Sequence, residues 1–152
     1  MRLTAYTDYS LRVLIYLGLQ QGRLATISEI SDTYGLSANH LMKIIHNLGK
    51  LGYINTVRGR AGGMKLAGKP EELNLGQLVR QVESDFAIVD CLEPGHRRDC
   101  VIAPACRLQL VFDKAVQGFL GVLDSYTLAD LLQNETRLKS LLSIGRAQGD
   151  SA

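Results

Sequence analysis

Residues 26–52 carry two short helical patterns on either side of a glycine, and this stretch restricts the fold more than any other. Thr26 and Glu29 have the spacing of a capping box, which predicts a helix over about residues 27–34. Gly35 suits the left-handed conformation that often ends a helix. The pattern therefore predicts one short helix that stops sharply before a second one begins.

The second helix is predicted over about residues 38–51, with Ser37 as its cap. Its apolar residues fall on one stripe, which is expected to be buried. The members of that stripe are Leu41, Ile44, Ile45 and Leu48. Two helices joined by a tight turn that contains glycine are typical of a helix-turn-helix, although an αα-hairpin without a DNA role has the same pattern.

A β-hairpin is predicted directly after these helices. Residues 53–57 alternate in hydropathy, residues 64–67 can pair with them, and the sequence RGRAGG lies between. A hairpin in this position is the wing of a winged helix. Glycine lets the backbone approach DNA closely, and the arginines can enter an electronegative minor groove.

The charge of the chain is unevenly distributed. Residues 1–69 contain nine Lys and Arg against three acidic residues, a net charge of +6, whereas residues 70–152 have a net charge of −4. A basic half of this kind is expected of a protein that binds nucleic acid. The sequence has no apolar run of membrane-spanning length and no signal-peptide pattern, so we expect a cytoplasmic protein with no membrane partner.

These features predict a set of DNA-contacting residues. The outward residues at the start of the second helix would face the major groove, with Asn39 suited to an adenine edge, and the tip of the wing would contact the adjacent backbone or minor groove. Other polar residues would contact phosphates. The predicted contacts are Arg12, Thr26, Ser28, Ser37, Ala38, Asn39, His40, Lys43, Lys50, Arg58, Gly59 and Arg60.

The remaining elements complete a mostly α fold. Helices are predicted over about residues 4–21, 75–83, 104–124 and 128–132, and the tail at 133–152, ending in GRAQGDSA, is expected to be partly disordered. The third of these helices is apolar around more than one stripe, which suggests burial against a second copy of the chain. Its expected dimer contacts are Leu108, Phe112, Ala115, Phe119 and Val122.

All three cysteines of the chain lie in the segment 84–107. Eight residues separate Cys91 from Cys100, and five separate Cys100 from Cys106. The spacing lacks the tight pair typical of structural zinc, and no base is marked for a catalytic thiol. Three unrelated buried cysteines would be unusual in a polar loop punctuated by proline and glycine. An iron–sulfur cluster fits best, although it lacks a fourth ligand.

The motifs taken together resemble the IscR/NsrR family of winged-helix iron–sulfur repressors, and its nitric-oxide-sensing NsrR branch most of all. The likeness rests on MRLTAYTDYSLRVLIYL, ISEISDTYGLSANHLMKIIHNLGKLGY, VRGRAGG and the C-x5-C-R-L pattern. It implies a homodimer with one cluster per subunit, [4Fe–4S] rather than [2Fe–2S], bound to a palindromic operator. It also implies that nitric oxide nitrosylates the cluster, releases DNA and derepresses nitric-oxide detoxification genes.

The resemblance also suggests a fourth ligand. IscR-type members have a histidine three residues after the third cysteine, where this chain has Gln109. NsrR-type members use an aspartate of the first helix from the other subunit, and the matching residue is Asp8. The gap between Cys91 and Cys100 is longer than is usual in the family and contains His96, which is a rival ligand.

The predicted architecture is therefore a winged helix-turn-helix domain over residues 1–83, a cysteine segment over 84–107 and dimerisation helices over 104–132. Two other functions remain open: the same fold could sense redox state or iron–sulfur supply, or the protein could carry electrons or assemble clusters. An enzyme is the least supported interpretation, since no nucleophile–base pair or nucleotide loop stands out.

Overall fold

The computed structural model describes residues 2–93 and 100–144. In these ranges the chain forms seven α-helices, one two-stranded sheet and two short 3-10 turns. The helices are α1 Ala5–Leu19, α2 Ile27–Tyr34, α3 Ala38–Lys50, α4 Leu75–Val82, α5 Leu108–Asp124, α6 Leu128–Leu131 and α7 Glu135–Leu141; the strands are β1 Ile54–Val57 and β2 Gly63–Leu66. His96 and the GRAQGDSA end lie outside the described residues.

The central helix of the winged-helix lobe is α1. Its first turn is capped by the Thr4 hydroxyl, which accepts a hydrogen bond from the backbone N–H of Thr7. Val13, Leu14 and Leu17 are almost completely buried, and α1 packs against α3 and β2. This helix therefore connects the DNA-binding elements to the rest of the chain.

The predicted helix-turn-helix is formed by α2 and α3. Both halves of the Thr26–Glu29 capping box are present, and Gly35 ends α2 in the left-handed conformation with φ 64°. Ser37 precedes α3 as expected, but its side chain makes no capping hydrogen bond, so that part of the prediction is wrong. The hydroxyl consequently stays exposed at the start of α3.

The predicted wing is formed by β1 and β2, which pair antiparallel with Ile54 opposite Leu66. A bridge between Ala25 and Met64 joins this hairpin to the segment that leads into α2. A Cβ atom at Gly62 would collide with the carbonyl oxygen of Val57, so the tight closure of the turn requires glycine there. The wing is thus fixed against the helix-turn-helix.

The helix predicted from about residue 104 begins at Leu108 instead. Residues 100–106 form successive turns, with hydrogen bonds from Ala103 N–H to the Cys100 carbonyl at 3.0 Å and from Ala105 N–H to the Ile102 carbonyl at 3.0 Å. The backbone is closed in these turns up to Cys106, so the regular hydrogen bonds of α5 start only after them. One side of α5 then packs on α4 through Val79, Val116 and Leu120 in a second, smaller core.

The end of the described chain returns to the winged-helix lobe. Leu128 of α6 is completely buried in its core, and Leu142 and Ile144 pack against the same core. Residues 135–141 of the expected partly disordered tail are helical, so the prediction missed α7. Among residues 2–93 and 100–144, no helix has both the length and the hydropathy to span a membrane.

Candidate nucleic-acid interface and cluster site

The outward face of α3 is exposed and basic. Ala38, Asn39 and His40 are exposed in its first turn, and Lys43 and Lys50 continue along the helix. The helix contains no acidic residue. The buried stripe of α3 fixes the orientation of this helix on α1 and α2. Its exposed polar and basic side chains are therefore presented together to a ligand outside the protein.

The basic side chains of this face are not neutralised within the described chain. No carboxylate in residues 2–93 or 100–144 pairs with Lys43, Lys50, Arg58 or Arg60. The contrast is Arg23, whose guanidinium contacts Glu29 at 2.8 Å. The unpaired charges therefore leave a cationic surface along the recognition helix and the wing tip, as phosphate binding requires.

Thr26 and Ser28 lie exposed at the start of α2. The Thr26 oxygen accepts the Glu29 N–H at 3.2 Å, which leaves its own hydroxyl proton available to a phosphate. Partial burial raises the pKa of Glu29, but hydrogen bonds from Thr26 and Arg23 outweigh it and hold that pKa below its usual value. The α2 cap is therefore intact at neutral pH.

The wing tip presents Arg58, Gly59 and Arg60, all of them exposed. Gly59 has φ 113°, a backbone conformation that a side chain would strain. The Gly62 N–H closes the turn on the Gly59 carbonyl at 3.0 Å. The two arginines therefore project from a tight turn whose backbone shape depends on glycine.

Two residues predicted for different roles contact each other in α1. The Asp8 carboxylate and the Arg12 guanidinium form an ion pair at 2.8 Å, with side chains 48% and 42% exposed. Arg12 also lies over the rings of Tyr9 and Tyr34, 5.8 and 6.0 Å from the ring centroids. Asp8, the expected cluster ligand, and Arg12, the expected phosphate contact, are thus paired with each other in the single chain.

Tyr34 links this pair to the helix-turn-helix. Its hydroxyl donates to the main-chain carbonyl of Arg12 at 3.2 Å, and its ring meets Tyr16 edge-on. Burial raises the pKa of Tyr34 to about 12. Since Tyr34 is the last residue of α2, the middle of α1 and the turn before α3 are tied together.

The cysteine segment presents three free thiols on both sides of the undescribed residues 94–99. Cys91 and Cys106 are half-buried, and Cys100 is exposed. Soft thiols without a disulfide partner fit the donor set of an iron–sulfur cluster. Within residues 2–93 and 100–144, however, no three His, Cys, Asp or Glu side chains are grouped closely enough to hold a metal ion. The described residues of one chain therefore contain suitable cluster ligands, but they do not bring three of them together at one site.

Two side-chain contacts near this segment were not predicted from the sequence. The Gln109 side-chain amide donates to the Cys91 carbonyl at 3.1 Å, which anchors the first cysteine to the start of α5. Glu83 accepts hydrogen bonds from Thr4 and Thr7, which fastens the end of α4 to the first turn of α1. Neither contact has a local sequence signal, because the partners lie far apart in the chain.

The second face of α5 is exposed and apolar. Of the expected dimer contacts, Leu108, Ala115 and Val122 are exposed, while Phe112 and Phe119 are half-buried. Leu110 and Val111 add to the same exposed apolar surface. The helix is therefore only partly covered by its own chain.

Comparison with known proteins identifies the family. Residues 3–134 match the Rrf2 family, described as an iron-dependent transcriptional regulator. The chain belongs to the Rrf2 family. It is 49% identical to the HTH-type transcriptional regulator NsrR of Bacillus subtilis over 95% of this chain and 99% of that one. It is 47% identical to NsrR of Geobacillus kaustophilus over 93% and 97% of the two chains.

Solved structures of Rrf2 regulators share the fold. The structure of CymR, the global cysteine regulator of B. subtilis, has a TM-score of 0.67 at 27% identity and covers 88% of this chain and 98% of its own. The IscR structure from T. potens has a TM-score of 0.67 at 23% identity and covers 99% and 94% of the two chains. The predicted winged-helix fold and likeness to NsrR-type regulators are confirmed, as is the non-enzymatic role of a transcriptional regulator.

Proposed function

We propose that this Rrf2 protein is a homodimeric repressor that binds a palindromic operator and releases it on exposure to nitric oxide. Its regulated genes would be those of nitric-oxide detoxification. The observation that carries the proposal is the set of three uncommitted thiols in a chain nearly half identical to NsrR regulators. The exposed basic face of α3 and the wing supply the surface for DNA.

The exposed apolar face of α5 supports the dimer. Leu108, Val111 and Val122 are each more than half exposed, which is unfavourable in water for side chains of this size. Val101 and Ile102, beside Cys100, are also exposed, at 95% and 62%. A second copy packed on α5 would cover this apolar surface, and it would bring the cysteine segment close to the partner chain.

The cluster ligands would be Cys91, Cys100 and Cys106, with Asp8 of the partner subunit as the fourth. A [4Fe–4S] cluster, one per subunit and in preference to [2Fe–2S], would supply the iron with which nitric oxide reacts. A carboxylate oxygen is a harder donor than a thiolate and suits the bond that must give way. His96 remains the rival ligand.

Asp8 also provides a route from this site to DNA. An exposed ion pair at i, i+4 contributes only about 0.3–0.5 kcal/mol, so the Asp8–Arg12 pair is easily exchanged for another partner. When Asp8 engages the other subunit, Arg12 is freed beside Tyr34 and the turn into α3. Helix α1 packs against α3 in the same hydrophobic core, so a shift of α1 would carry α3 with it.

The central test compares operator affinity before and after nitric oxide. We expect tight, strongly salt-dependent binding by anaerobically loaded protein and a large loss of affinity after exposure, measured by gel shift. An equal response to oxygen alone would favour a general redox sensor. Identical affinity in both states would contradict the proposal.

The fourth ligand is tested by Asp8→Ala and His96→Ala, with Glu71→Ala as the control because Glu71 is exposed and lies in the 3-10 turn Pro70–Glu72. The Asp8 variant should show an altered cluster absorbance and faster cluster loss to a chelator, while the other two behave as wild type. An unchanged spectrum for Asp8→Ala together with a changed one for His96→Ala would transfer the role to His96.

A further inference from the structure

A large apolar side chain lies exposed on the recognition helix. Met42 is 51% exposed, in an outward stripe where Asn39 precedes it by three residues and His46 follows it by four. The neighbouring residues of the outward face are polar or basic, and Lys43 is adjacent. Because about half of its side chain is exposed, Met42 contributes less to the stability of the isolated chain than a core methionine would.

Met42 stands at the edge of a groove between α3, the start of α2 and strand β1. The groove has a volume of about 870 Å³, and Ile27, Ile45 and Ile54 line it together with Met42. Its polar lining includes His46 and Lys50. The side chain is therefore supported from behind by apolar residues and flanked by groups that suit a polyanion.

The chemistry of the major groove offers one apolar partner. Each base pair presents hydrogen-bond donors and acceptors there, and only thymine adds a methyl group. We infer that Met42 contacts thymine methyl groups and makes the regulator selective for thymine at one position of each half-site. Met42 is the fifth residue of α3, within the N-terminal part that approaches base edges in this fold. The inference rests on α3 being the DNA-reading helix.

The test removes the methyl group and nothing else. Cluster-loaded wild-type protein first selects a duplex from a random pool, and each thymine of that duplex is then replaced in turn by uracil. Loss of one contacted methyl should weaken binding about fourfold, and loss in both half-sites about fifteenfold, as expected for burying one methyl-sized group. Met42→Ala should bind the thymine and uracil duplexes equally, whereas Met42→Leu should keep the preference.

The matched control is Leu141→Ala, which truncates another exposed apolar residue, on α7. It should retain the full uracil sensitivity of the wild type. Uracil substitution without effect at every thymine would overturn the inference, as would an undiminished thymine preference in Met42→Ala. Either result would overturn the role of Met42 while DNA binding itself stays intact. If the protein selects no duplex at all, the proposed function fails, and the inference about Met42 fails with it.

Discussion

Replacing Glu83 tests how the first turn of α1 is held. One carboxylate oxygen, Oε2, accepts hydrogen bonds from the Thr4 N–H at 3.0 Å, the Thr4 hydroxyl at 3.2 Å and the Thr7 hydroxyl at 2.6 Å. Thr4 is the N-cap of α1, and Thr7 is fully buried. Glu83→Ala removes the acceptor for all three donors, while Glu83→Gln keeps an acceptor oxygen and removes the charge.

The expected cost follows from the burial of these groups. A buried donor that loses its partner costs about 1–3 kcal/mol, and in the alanine variant the Thr7 hydroxyl keeps only a 3.3 Å contact with the Thr4 hydroxyl. Glu83 itself is only half-buried and Thr4 is exposed, so solvent replaces part of what is lost. We therefore expect Glu83→Ala to lower the free energy of unfolding by about 2 kcal/mol and Glu83→Gln by about half of that.

The assay is thermal unfolding of cluster-free protein at one fixed protomer concentration, because dimerisation makes Tm depend on concentration. A chain of this length loses roughly 2–4 °C of Tm per kcal/mol, so the alanine variant should melt about 4–8 °C below wild type. The loaded variants should also lose cluster absorbance faster, since Asp8 lies in the same turn of α1.

Glu71→Ala is the matched control, an exposed glutamate on the same lobe. A Tm change in Glu83→Ala no larger than in this control would refute the tie between α4 and α1. If Glu83→Ala is destabilised but loses its cluster no faster, the contact between α4 and α1 is supported. In that case the contact has no effect on the proposed Asp8 ligand.

Three further measurements address other parts of the fold. Leu128→Ala should lower the free energy of unfolding by about 2–5 kcal/mol, as measured by urea unfolding. Leu131→Ala, which truncates an exposed leucine, should lower it by far less. Because the pKa of Tyr34 is raised to about 12, stability should fall as pH rises from about 10 towards 12, and Tyr34→Phe should reduce that slope. Because the pKa of Glu29 is lowered in the folded protein, ionised Glu29 should stabilise the fold at pH values above its usual pKa of 4.5. This stabilisation should disappear as the pH falls through the pKa of the folded protein, and Glu29→Gln should not show that loss.

The elements predicted well are those whose signals are local. The Thr26–Glu29 box and Gly35 fix α2 at both ends, because capping partners lie three residues apart and a left-handed residue favours glycine. The wing follows from alternation on both sides of a glycine-rich turn, and the structure pairs Ile54 with Leu66 as this requires. The cysteines could be recognised as a group because they share one segment.

The elements predicted poorly depend on contacts between distant residues. Glu83 meets Thr4 across 79 positions, and no periodicity marks that pair. The apolar pattern that predicts a helix from about residue 104 does not show that residues 100–106 close into turns before α5 begins at Leu108. Helix α7 was missed because Leu142 and Ile144 have their apolar partners in the lobe formed by the first half of the chain. Such contacts are visible only after the chain has folded.

The strengths of the contacts along α1 suggest how a signal would travel. Its first turn is fastened by three hydrogen bonds to Glu83, and its middle is buried through Val13 and Leu14. The Asp8–Arg12 pair on its surface is weak by comparison. A ligand that captures or releases Asp8 would therefore exchange this pair without unfolding the helix. Because a well-packed helix moves as a unit, we expect the proposed response to be a displacement of α1 and the recognition helix together rather than local melting.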